Sequence, residues 1–431
     1  MRHSGTATGD TLPADRTLAH ATLCSSVKPS VPLVALHDGE ALRTRPPEGL
    51  VHAVAVCGIL ANPLIIPNLT EVVADFDRTN AASGLLVSVI PLSGVFLSPV
   101  AGVLADRLGR RPVVVACLVV FGVAGLLSAV ATTFHLLLFA RFVQGFGSAG
   151  LLSLSLVLVA DHWKGPERMA MMGRNAAALG LGLAVVPLVS GLLAEATSWR
   201  WSLALASFAF PIAALAWYRL PSHVPLEKRT WQLHLKALRA SARLPVVSAI
   251  LTSTFALFVV VFGVFLTTLP IHLDQRYDLG PGARGAVLAV PAAGSIITAM
   301  ALGSLSRAVS RRSILVVSGL MIACSILTIG VATSLYLLVA ATLLYGLGSG
   351  VSSPTLQSMA AAAVSADRRA GVLALWVSSM RLGQLAGPLV AGLLLSQSST
   401  QTVMIVGSAA FATVSLFWLW FPTDLSLTDR D

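Results

Sequence analysis

The sequence has little charge and few cysteines. Only 11% of the 431 residues are charged and 55% are hydrophobic, whereas a soluble domain carries roughly twice that charged fraction. The four cysteines, Cys24, Cys57, Cys117 and Cys324, have no metal-type spacing, and three lie within apolar stretches. A thiol in such a stretch is most simply a small buried hydrophobe. This composition excludes an ordinary soluble domain and argues against a metal site or a disulfide framework.

Enzyme motifs are missing too. The sequence has no glycine-rich phosphate loop, no nucleotide-binding domain and no catalytic triad, and its apolar stretches hold no cluster of histidine or acidic residues. ATP-driven pumping and hydrolysis are therefore unsupported, and we expect neither catalysis nor a bound cofactor. The net charge of +10 would suggest a nucleic-acid partner in a soluble protein. Here the basic residues lie in short loops between apolar blocks, so we expect no nucleic-acid partner.

Twelve apolar blocks are present instead. Each is about 20 residues long, the length of helix that crosses a hydrocarbon layer of about 30 Å. The sequence therefore predicts an all-α membrane protein in a lipid bilayer, with twelve transmembrane helices called spans 1 to 12. The predicted spans are 49–70, 82–104, 112–132, 135–159, 171–194, 199–219, 246–271, 284–305, 313–332, 335–360, 371–395 and 401–421.

The basic residues are unevenly distributed between the loops. The loops after spans 2, 4, 6, 8 and 10 carry most of them, and the alternate loops carry only Arg78, Arg200, Arg276 and Arg284. By the positive-inside rule the even-numbered loops and both termini are cytoplasmic, in the cytoplasmic (inner) membrane. The predicted organisation is a flexible N-terminal tail at 1–48, six-helix halves at 49–220 and 246–421, a cytoplasmic linker at 221–245, and a C-terminal tail at 422–431.

Three motifs recur in the second half at the same offset of 201 residues. They are the turn that begins at Gly102 and again at Gly303, the Gly-x-Gly-Ser motif at Gly145 and Gly346, and the set Gly182, Pro187 and Gly191, repeated as Gly383, Pro388 and Gly392. Each copy lies in the corresponding helix of its half. The chain is therefore predicted to be a parallel repeat, with a pseudo-two-fold axis along the membrane normal and a solute pathway between the halves.

The turn after span 2 reads Gly102-x-Leu104-Ala105-Asp106-Arg107-x-Gly109-Arg110-Arg111. On this motif, residues 49–421 resemble the major facilitator superfamily, in particular its twelve-helix drug and metabolite–proton antiporters. The resemblance implies a cytoplasmic gate that latches in the outward-open state, made of Gly102, Asp106, Arg107, Gly109, Arg110 and Arg111. Asp106 can cap a helix or pair with Arg110. In the second copy Arg307 occupies the Asp106 position, so we expect an asymmetric gate.

Span 4 contains Arg141-Phe-Val-Gln144-Gly145-x-Gly147, which resembles a second family motif, common in proton-driven members. Arg141 lies about six residues inside the predicted outer boundary, or about 9 Å at helical rise. An arginine at that depth needs a partner or a wet cavity, unless its side chain reaches the outer surface. We expect Arg141, Gln144 and Gly145 to act in proton coupling or substrate contact, with Glu71 as a possible partner of Arg141.

Spans 5 and 11 combine small residues with proline. Gly182, Pro187 and Gly191 resemble the exporter-type signature of drug–proton antiporters, although Val186 and Ser190 replace two of its glycines. The copy in span 11, with Gly383, Gly387 and Pro388, matches better but lies in the other half. Small residues beside a proline allow close packing and a local bend. We expect both sets to be sites of helix bending and packing.

Arg381 lies about ten residues into span 11, near the predicted membrane midplane, and no acidic residue occurs within the cores of spans 7 to 12. We expect it to bind an anionic or carboxylate-bearing substrate, the alternative being a structural contact to backbone carbonyls. Span 1 contains Asn62, Pro63 and Pro67 but no mid-membrane carboxylate. That absence disfavours a substrate recognised chiefly by positive charge.

These features predict a secondary transporter that works by alternating access as a monomer. The favoured function is export of a small amphipathic drug or metabolite, driven by the proton gradient. Uptake or facilitated movement of an organic anion is the alternative. A membrane sensor or lipid-handling protein without solute flux is a third hypothesis, and the sequence shows no large soluble appendage that would favour it.

Overall fold

The computed structural model describes residues 45–221 and 244–421. Within these ranges, the side chains at 96–100, 102, 103, 106, 366, 367 and 370 are outside the description. Nearly all of the predicted N-terminal tail and linker, the whole predicted C-terminal tail, and the side chain of Asp106 in the predicted gate therefore lie outside the described residues. What the sequence indicates about them stays a prediction.

The first half follows the six predicted spans. Span 1 is divided into the helices Glu48–Cys57 and Leu69–Asp75, with the 3-10 turn Ile66–Asn68 between them. Span 6 is likewise composed of Trp199–Ala204 and Ala209–Arg219, with the 3-10 turn Leu205–Phe208 between them. The continuous helices of spans 2 to 5 are Ser83–Leu108, Arg110–Ala129, Phe134–His162 and Gly165–Ala196.

The second half repeats this order. Span 7 begins as the α-helix Pro245–Val259, passes through the π-helical stretch Val260–Thr268 and ends as the α-helix Leu269–Tyr277. Spans 8 to 12 are Pro281–Ala308, Arg311–Val331, Leu335–Ala362, Ala366–Leu395 and Thr400–Trp420. Nine helices within the described residues are long and apolar enough to cross a membrane. With spans 1, 2 and 11 they form twelve transmembrane helices in two six-helix halves.

The irregular segments of spans 1 and 7 lie at equivalent positions. The π-helical stretch of span 7, Val260–Thr268, corresponds at the repeat offset to residues 59–67, where span 1 loses its regular helix. In span 1 the prolines Pro63 and Pro67 have no N–H to donate to the helical ladder. In span 7 the wider turns leave room for Thr268 Oγ1 to donate to the Gly263 carbonyl at 3.0 Å. Both interruptions leave backbone carbonyls available for side-chain donors.

Glycines bring the helices of each half together in the same way. A Cβ added to Gly147 in span 4 would lie 2.5 Å from the Cys117 carbonyl oxygen in span 3. A Cβ added to Gly348 in span 10 would lie 2.7 Å from the Ser318 carbonyl oxygen in span 9. These are the same two positions shifted by 201 residues. The repeat is thus present in the packing, because only glycine permits such backbone contact.

The two halves pack against each other through a second symmetric pair of contacts. Gly84 in span 2 lies against the Pro388 carbonyl of span 11, and its repeat equivalent Gly285 in span 8 lies against the Pro187 carbonyl of span 5. All four residues lie toward the odd-numbered loops. We call this the closed end of the molecule, and the end that carries the even-numbered loops the open end.

The same helices have free space around them toward the open end. A Cβ added to Gly173 or Gly180 in span 5, or to Gly303 in span 8, would meet no atom within 4 Å. The close glycine contacts of spans 5 and 8 with the other half thus lie toward the closed end, and the described glycines of the same helices toward the open end contact nothing.

Candidate functional site

Arg141 lies in the interior of the first half with its side chain fully buried. Its Nη1 donates to the Ala61 carbonyl at 2.7 Å and to Gln144 Oε1 at 3.2 Å, and its Nη2 donates to Asn62 Oδ1 at 2.9 Å. Ala61 and Asn62 belong to the interruption of span 1, which exposes this carbonyl to a donor. Arg141 therefore joins span 4 to the irregular part of span 1.

The predicted pairing of Glu71 with Arg141 is wrong. Glu71 forms an ion pair with Arg284 of span 8 instead. Depth along the two helices suggested the first pairing, but Asn62 and the Ala61 carbonyl already hold the Arg141 guanidinium. Gln144 and Gly145 lie beside Arg141 on the same helix, and Gly145 packs against the Ile90 carbonyl of span 2.

Arg284 holds the two halves together at the closed end. It is the fourth residue of the span 8 helix, and its side chain is 0% exposed although it is charged. Its Nη2 pairs with the Glu71 carboxylate, its Nη1 donates to Thr70 Oγ1 at 2.5 Å, and Asp274 lies 3.8 Å from Nη2. Glu71 and Thr70 belong to the first half, and Asp274 belongs to the second. One arginine thus faces two carboxylates from opposite halves.

A second polar contact joins the halves next to this one. Glu195, at the end of span 5, accepts a hydrogen bond from the Gly282 backbone N–H at 3.0 Å. A carboxylate at a helix N-terminus satisfies a free N–H and is favoured by the helix dipole. In the part of the chain that the structure describes, the hydrogen bonds between the halves all involve the first turn of span 8.

Arg381 lies between the halves, further from the closed end. A Cβ added to Gly94 in span 2 would lie 2.5 Å from Arg381 Nη1, so the guanidinium rests against the span 2 backbone. Arg381 Nε is buried and has no hydrogen-bond acceptor among the described residues. No ion pair joins Arg381 to a described carboxylate. The guanidinium can therefore accept a ligand without losing an ionic partner.

The predicted gate lies at the open end, where Gly109 is the single residue between spans 2 and 3. Its φ of 91° and ψ of 158° favour glycine. Arg110 Nε donates to Asp161 Oδ2 at the end of span 4 at 3.1 Å, and the Arg111 guanidinium lies 4.4 Å from the centre of the Trp217 ring in span 6. These contacts tie spans 3, 4 and 6 of one half together.

The second copy of this turn differs in the structure as well as in sequence. Ser310, at the position of Gly109, has ordinary extended backbone and caps the next helix by accepting from the Ser313 N–H at 3.1 Å. Ala362 stands at the position of Asp161, so Arg311 lacks the equivalent carboxylate. The two open-end turns are therefore chemically unequal.

The residues predicted to bend and pack spans 5 and 11 lie at helix contacts. Gly182 faces Val56 of span 1, and Gly191 and Pro187 face span 8. Gly383 and Gly387 face Phe255 and Val259 of span 7, and Pro388 faces span 2. The set in span 5 and the set in span 11 thus each contribute to the contact between the halves.

The match to known proteins agrees with this architecture. The family model of the Major Facilitator Superfamily matches residues 51–323 and 263–430. The chain belongs to the major facilitator superfamily. It is a multi-pass membrane transporter, and members of this superfamily bind small-molecule substrates within the membrane.

Exporters are among its relatives. The chain is 25% identical over 390 residues to the Bacillibactin exporter of Bacillus subtilis (strain 168), a match that covers 86% of this chain and 95% of that protein. It is 33% identical over 185 residues to the Multidrug resistance protein B homolog of Mycobacterium tuberculosis (strain ATCC 25618 / H37Rv), which covers 38% of this chain and 33% of that one.

Solved structures share the fold. A bacterial homolog of the human lysosomal transporter Spinster, inward-facing and occupied, superposes with a TM-score of 0.73 at 13% identity, covering 86% of this chain and 95% of that one. A D-xylose–proton symporter superposes with a TM-score of 0.71 at 15% identity, covering 88% and 98%. At these identities the likeness concerns the fold alone.

Sequence reasoning missed Arg284, which it placed among the basic residues of the loops. The available signal was its position three residues after Pro281, which commonly begins a helix. An arginine in the first turn of a span can be buried when that turn packs against another helix. Nothing in the sequence indicated that Glu71, 213 residues away, would be its partner.

Proposed function

We propose that this transporter exports a small amphipathic solute with an acidic group across the cytoplasmic membrane in exchange for protons. The observation that carries the proposal is Arg381, a guanidinium between the halves whose Nε has no acceptor and which makes no ion pair with a described carboxylate. Such a group gains charge-assisted hydrogen bonds from an anionic ligand. The full-length similarity to the Bacillibactin exporter supports export rather than uptake.

The proposed orientation places the open end in the cytoplasm, because the even-numbered loops carry most of the basic residues. In that orientation a cytoplasmic solute reaches Arg381 from the open end. Closure of the open end and separation of the closed end would then release the solute outside. The symmetric glycine contacts at Gly84 and Gly285 belong to the closed end and would part when that end opens.

Arg141 has a different role in this proposal. Its guanidinium is bound by Ala61, Asn62 and Gln144, so it is less free than Arg381 to receive a substrate anion. We assign to it the positioning of the interrupted part of span 1, which borders the pathway. The energy source proposed is the proton gradient, with no cofactor and with the monomer as the working unit.

Flux measurements on purified protein in liposomes test this function. The vesicles are loaded with a panel of anionic, neutral and cationic amphipathic solutes, with and without an imposed pH gradient. The proposal expects the transport of anionic amphipaths to be faster when the imposed proton gradient drives protons in the direction opposite to the solute. Equal flux with and without the gradient would contradict proton coupling, and selective transport of cationic solutes would contradict the role of Arg381.

A further inference from the structure

A groove opens at the closed end where span 2 meets span 11. Its volume is about 540 Å³, and it lies beside the contact of Gly84 with the Pro388 carbonyl. The first loop and spans 2 and 4 line it from the first half, and span 11 lines it from the second half. A molecule in the groove therefore touches both halves.

The walls of this groove are apolar and open to the bilayer. Leu85 of span 2 and Leu389 and Leu393 of span 11 are exposed, although all three lie within transmembrane helices. The halves meet at this end, so leucines exposed here lie on the outer surface of the molecule, where the neighbours are lipid chains. The groove is accessible to a lipid from the side.

Two basic residues stand at the loop end of the groove. Arg78 is exposed, forms no ion pair with a carboxylate of the described ranges, and has its guanidinium 5.6 Å from the centre of the Phe134 ring. His135, the next residue of span 4, is also exposed. At the repeat offset of 201 residues these two positions hold Leu279 and Tyr336. The basic pair therefore belongs to one contact between the halves and not to its symmetric copy.

The two contacts also differ in their acidic groups. Ser396 lines the groove at the end of span 11, and Glu195 is its repeat equivalent at the end of span 5. Glu195 accepts a hydrogen bond from the Gly282 N–H, across the contact of span 5 with span 8. No carboxylate occurs among the described residues that line the groove. The span 5–span 8 contact thus contains its own anion, whereas the span 2–span 11 contact offers a cation and a space.

We propose that this groove binds one anionic phospholipid of the surrounding bilayer, with its phosphate at Arg78 and His135. A guanidinium holds phosphate oxygens through two parallel N–H donors, and the imidazole adds a further donor. An acyl chain lies along Leu85, Leu389 and Leu393. The lipid brings to the span 2–span 11 contact the negative charge that the protein itself supplies to the other contact. In the proposed orientation it belongs to the outer leaflet.

The bound lipid stabilises the closed end. The groove is lined by both halves, so it exists only while they meet there. A ligand that binds one of two conformations shifts the population toward that conformation. An anionic bilayer should therefore favour the state in which the closed end is shut. This consequence rests on the proposed alternating-access cycle, whereas the lipid site does not.

Lipid retention by the purified full-length protein tests the site. The protein in a non-ionic detergent is titrated with phosphatidylglycerol or, separately, with phosphatidylcholine, and native mass spectrometry counts the lipids bound. The parent should retain one phosphatidylglycerol at concentrations at which it retains no phosphatidylcholine, because the choline group neutralises the phosphate. Equal retention of the two lipids overturns the proposal.

Two arginine variants assign the binding to the groove. Arg78→Gln should weaken retention of the first phosphatidylglycerol about fivefold, which corresponds to about 1 kcal/mol. Arg276→Gln is the matched control, because it removes the same charge from an exposed site near the same end but outside the groove; it should behave as the parent. Parent-like retention in Arg78→Gln, or an equal loss in Arg276→Gln, overturns the proposal.

A second pair of variants acts from the opposite half. Ser396→Glu places a carboxylate in the groove, as Glu195 does at the equivalent position, and should exclude phosphatidylglycerol. Ser396→Gln has nearly the same size without the charge and should retain the lipid. Ser396 is exposed, so both longer side chains have room. Equal retention in the two variants would show that the groove does not recognise an anion.

Spin labels test the effect of the lipid on conformation. Thr197→Cys and Gln275→Cys, introduced after replacement of the four native cysteines, place labels on exposed sites of opposite halves at the closed end. Phosphatidylcholine bilayers with added phosphatidylglycerol should show fewer long distances than phosphatidylcholine alone, and Arg78→Gln should abolish this difference. Identical distances in the two bilayers would overturn the stabilising effect.

These measurements need neither substrate nor gradient. Selective lipid retention without proton-linked flux would therefore contradict the proposed function alone. Proton-linked flux without selective lipid retention would contradict the lipid site alone.

Discussion

Three arginines within the spans have three kinds of environment, and these separate their roles. Arg141 is bound by a carbonyl and two side-chain amides, Arg284 by carboxylates, and Arg381 by no described ion-pair partner. A cation within a membrane protein is stable only when paired or hydrated. The first two are paired by the protein itself. Arg381 is consequently the arginine best placed to bind a substrate.

Replacement of Arg381 tests this assignment. Arg381→Ala should weaken binding of an anionic substrate at least about tenfold, or about 1.4 kcal/mol. Arg381→Lys should restore only part of the affinity, because it retains the charge but loses the planar fork. Calorimetry on purified protein measures both, with Arg276→Ala as a control, since Arg276 is exposed near the closed end of the same half. Unchanged affinity in Arg381→Ala would make the residue structural.

The backbone conformation of Gly109 leads to a further prediction at the residue scale. Its backbone conformation is strained for any residue with a Cβ, so Gly109→Ala should destabilise the folded protein by about 1–3 kcal/mol. Gly173→Ala is the control, because Gly173 is helical and its added Cβ meets open space. Thermal unfolding is measured as the loss of monodisperse protein on heating. Its midpoint temperature should be lower than the parent's for Gly109→Ala and unchanged for Gly173→Ala. Equal midpoints would remove the conformational reason for glycine in this turn.

At the scale of helices, much of the fold was predictable from the sequence. Apolar blocks and the repeat offset predicted the twelve spans because the bilayer fixes helix length and the duplication fixes their order. Contacts between the halves were harder to predict from the sequence. The predicted partner of Arg141 was wrong because depth along a helix does not give the direction in which Glu71 points. The burial of Arg284 depends on how two distant helices meet, which no local pattern records.

The two symmetric contacts between the halves, Gly84 with the Pro388 carbonyl and Gly285 with the Pro187 carbonyl, can also be tested. Gly285→Ala in span 8 would place a methyl group against the Pro187 carbonyl of span 5, whereas Gly303→Ala in the same helix meets open space. The first variant should increase the distance between spin labels at Thr197→Cys and Gln275→Cys, two exposed sites of opposite halves, and the second should not. By the pseudo-two-fold relation Gly84→Ala should act like Gly285→Ala. Equal distances in the Gly285→Ala and Gly303→Ala variants would argue against close packing of Gly285 on span 5.

At the scale of the whole molecule, the two ends are held by different chemistry. The closed end combines backbone contact at glycines with charged side chains on the first turn of span 8. At the open end, the described contacts of the predicted gate, Arg110 with Asp161 and Arg111 with Trp217, stay within the first half. The gate motif therefore stiffens its own half in this state, and its predicted latch belongs to the state in which the open end closes.

The latch prediction concerns the rate of the transport cycle. Asp106→Asn should slow transport severely while the protein still reaches the membrane, because the predicted latch needs a carboxylate but the packing of spans 2 and 3 does not. Arg307→Ala, at the equivalent position, should have a milder effect, since the second turn has Arg307 in place of the carboxylate of Asp106 and Ser310 in place of Gly109. Initial rates in liposomes at matched protein density measure both variants. Near-normal flux in Asp106→Asn would refute the latch, and equal loss in the two variants would refute the asymmetry, because a symmetric gate would depend on both turns alike.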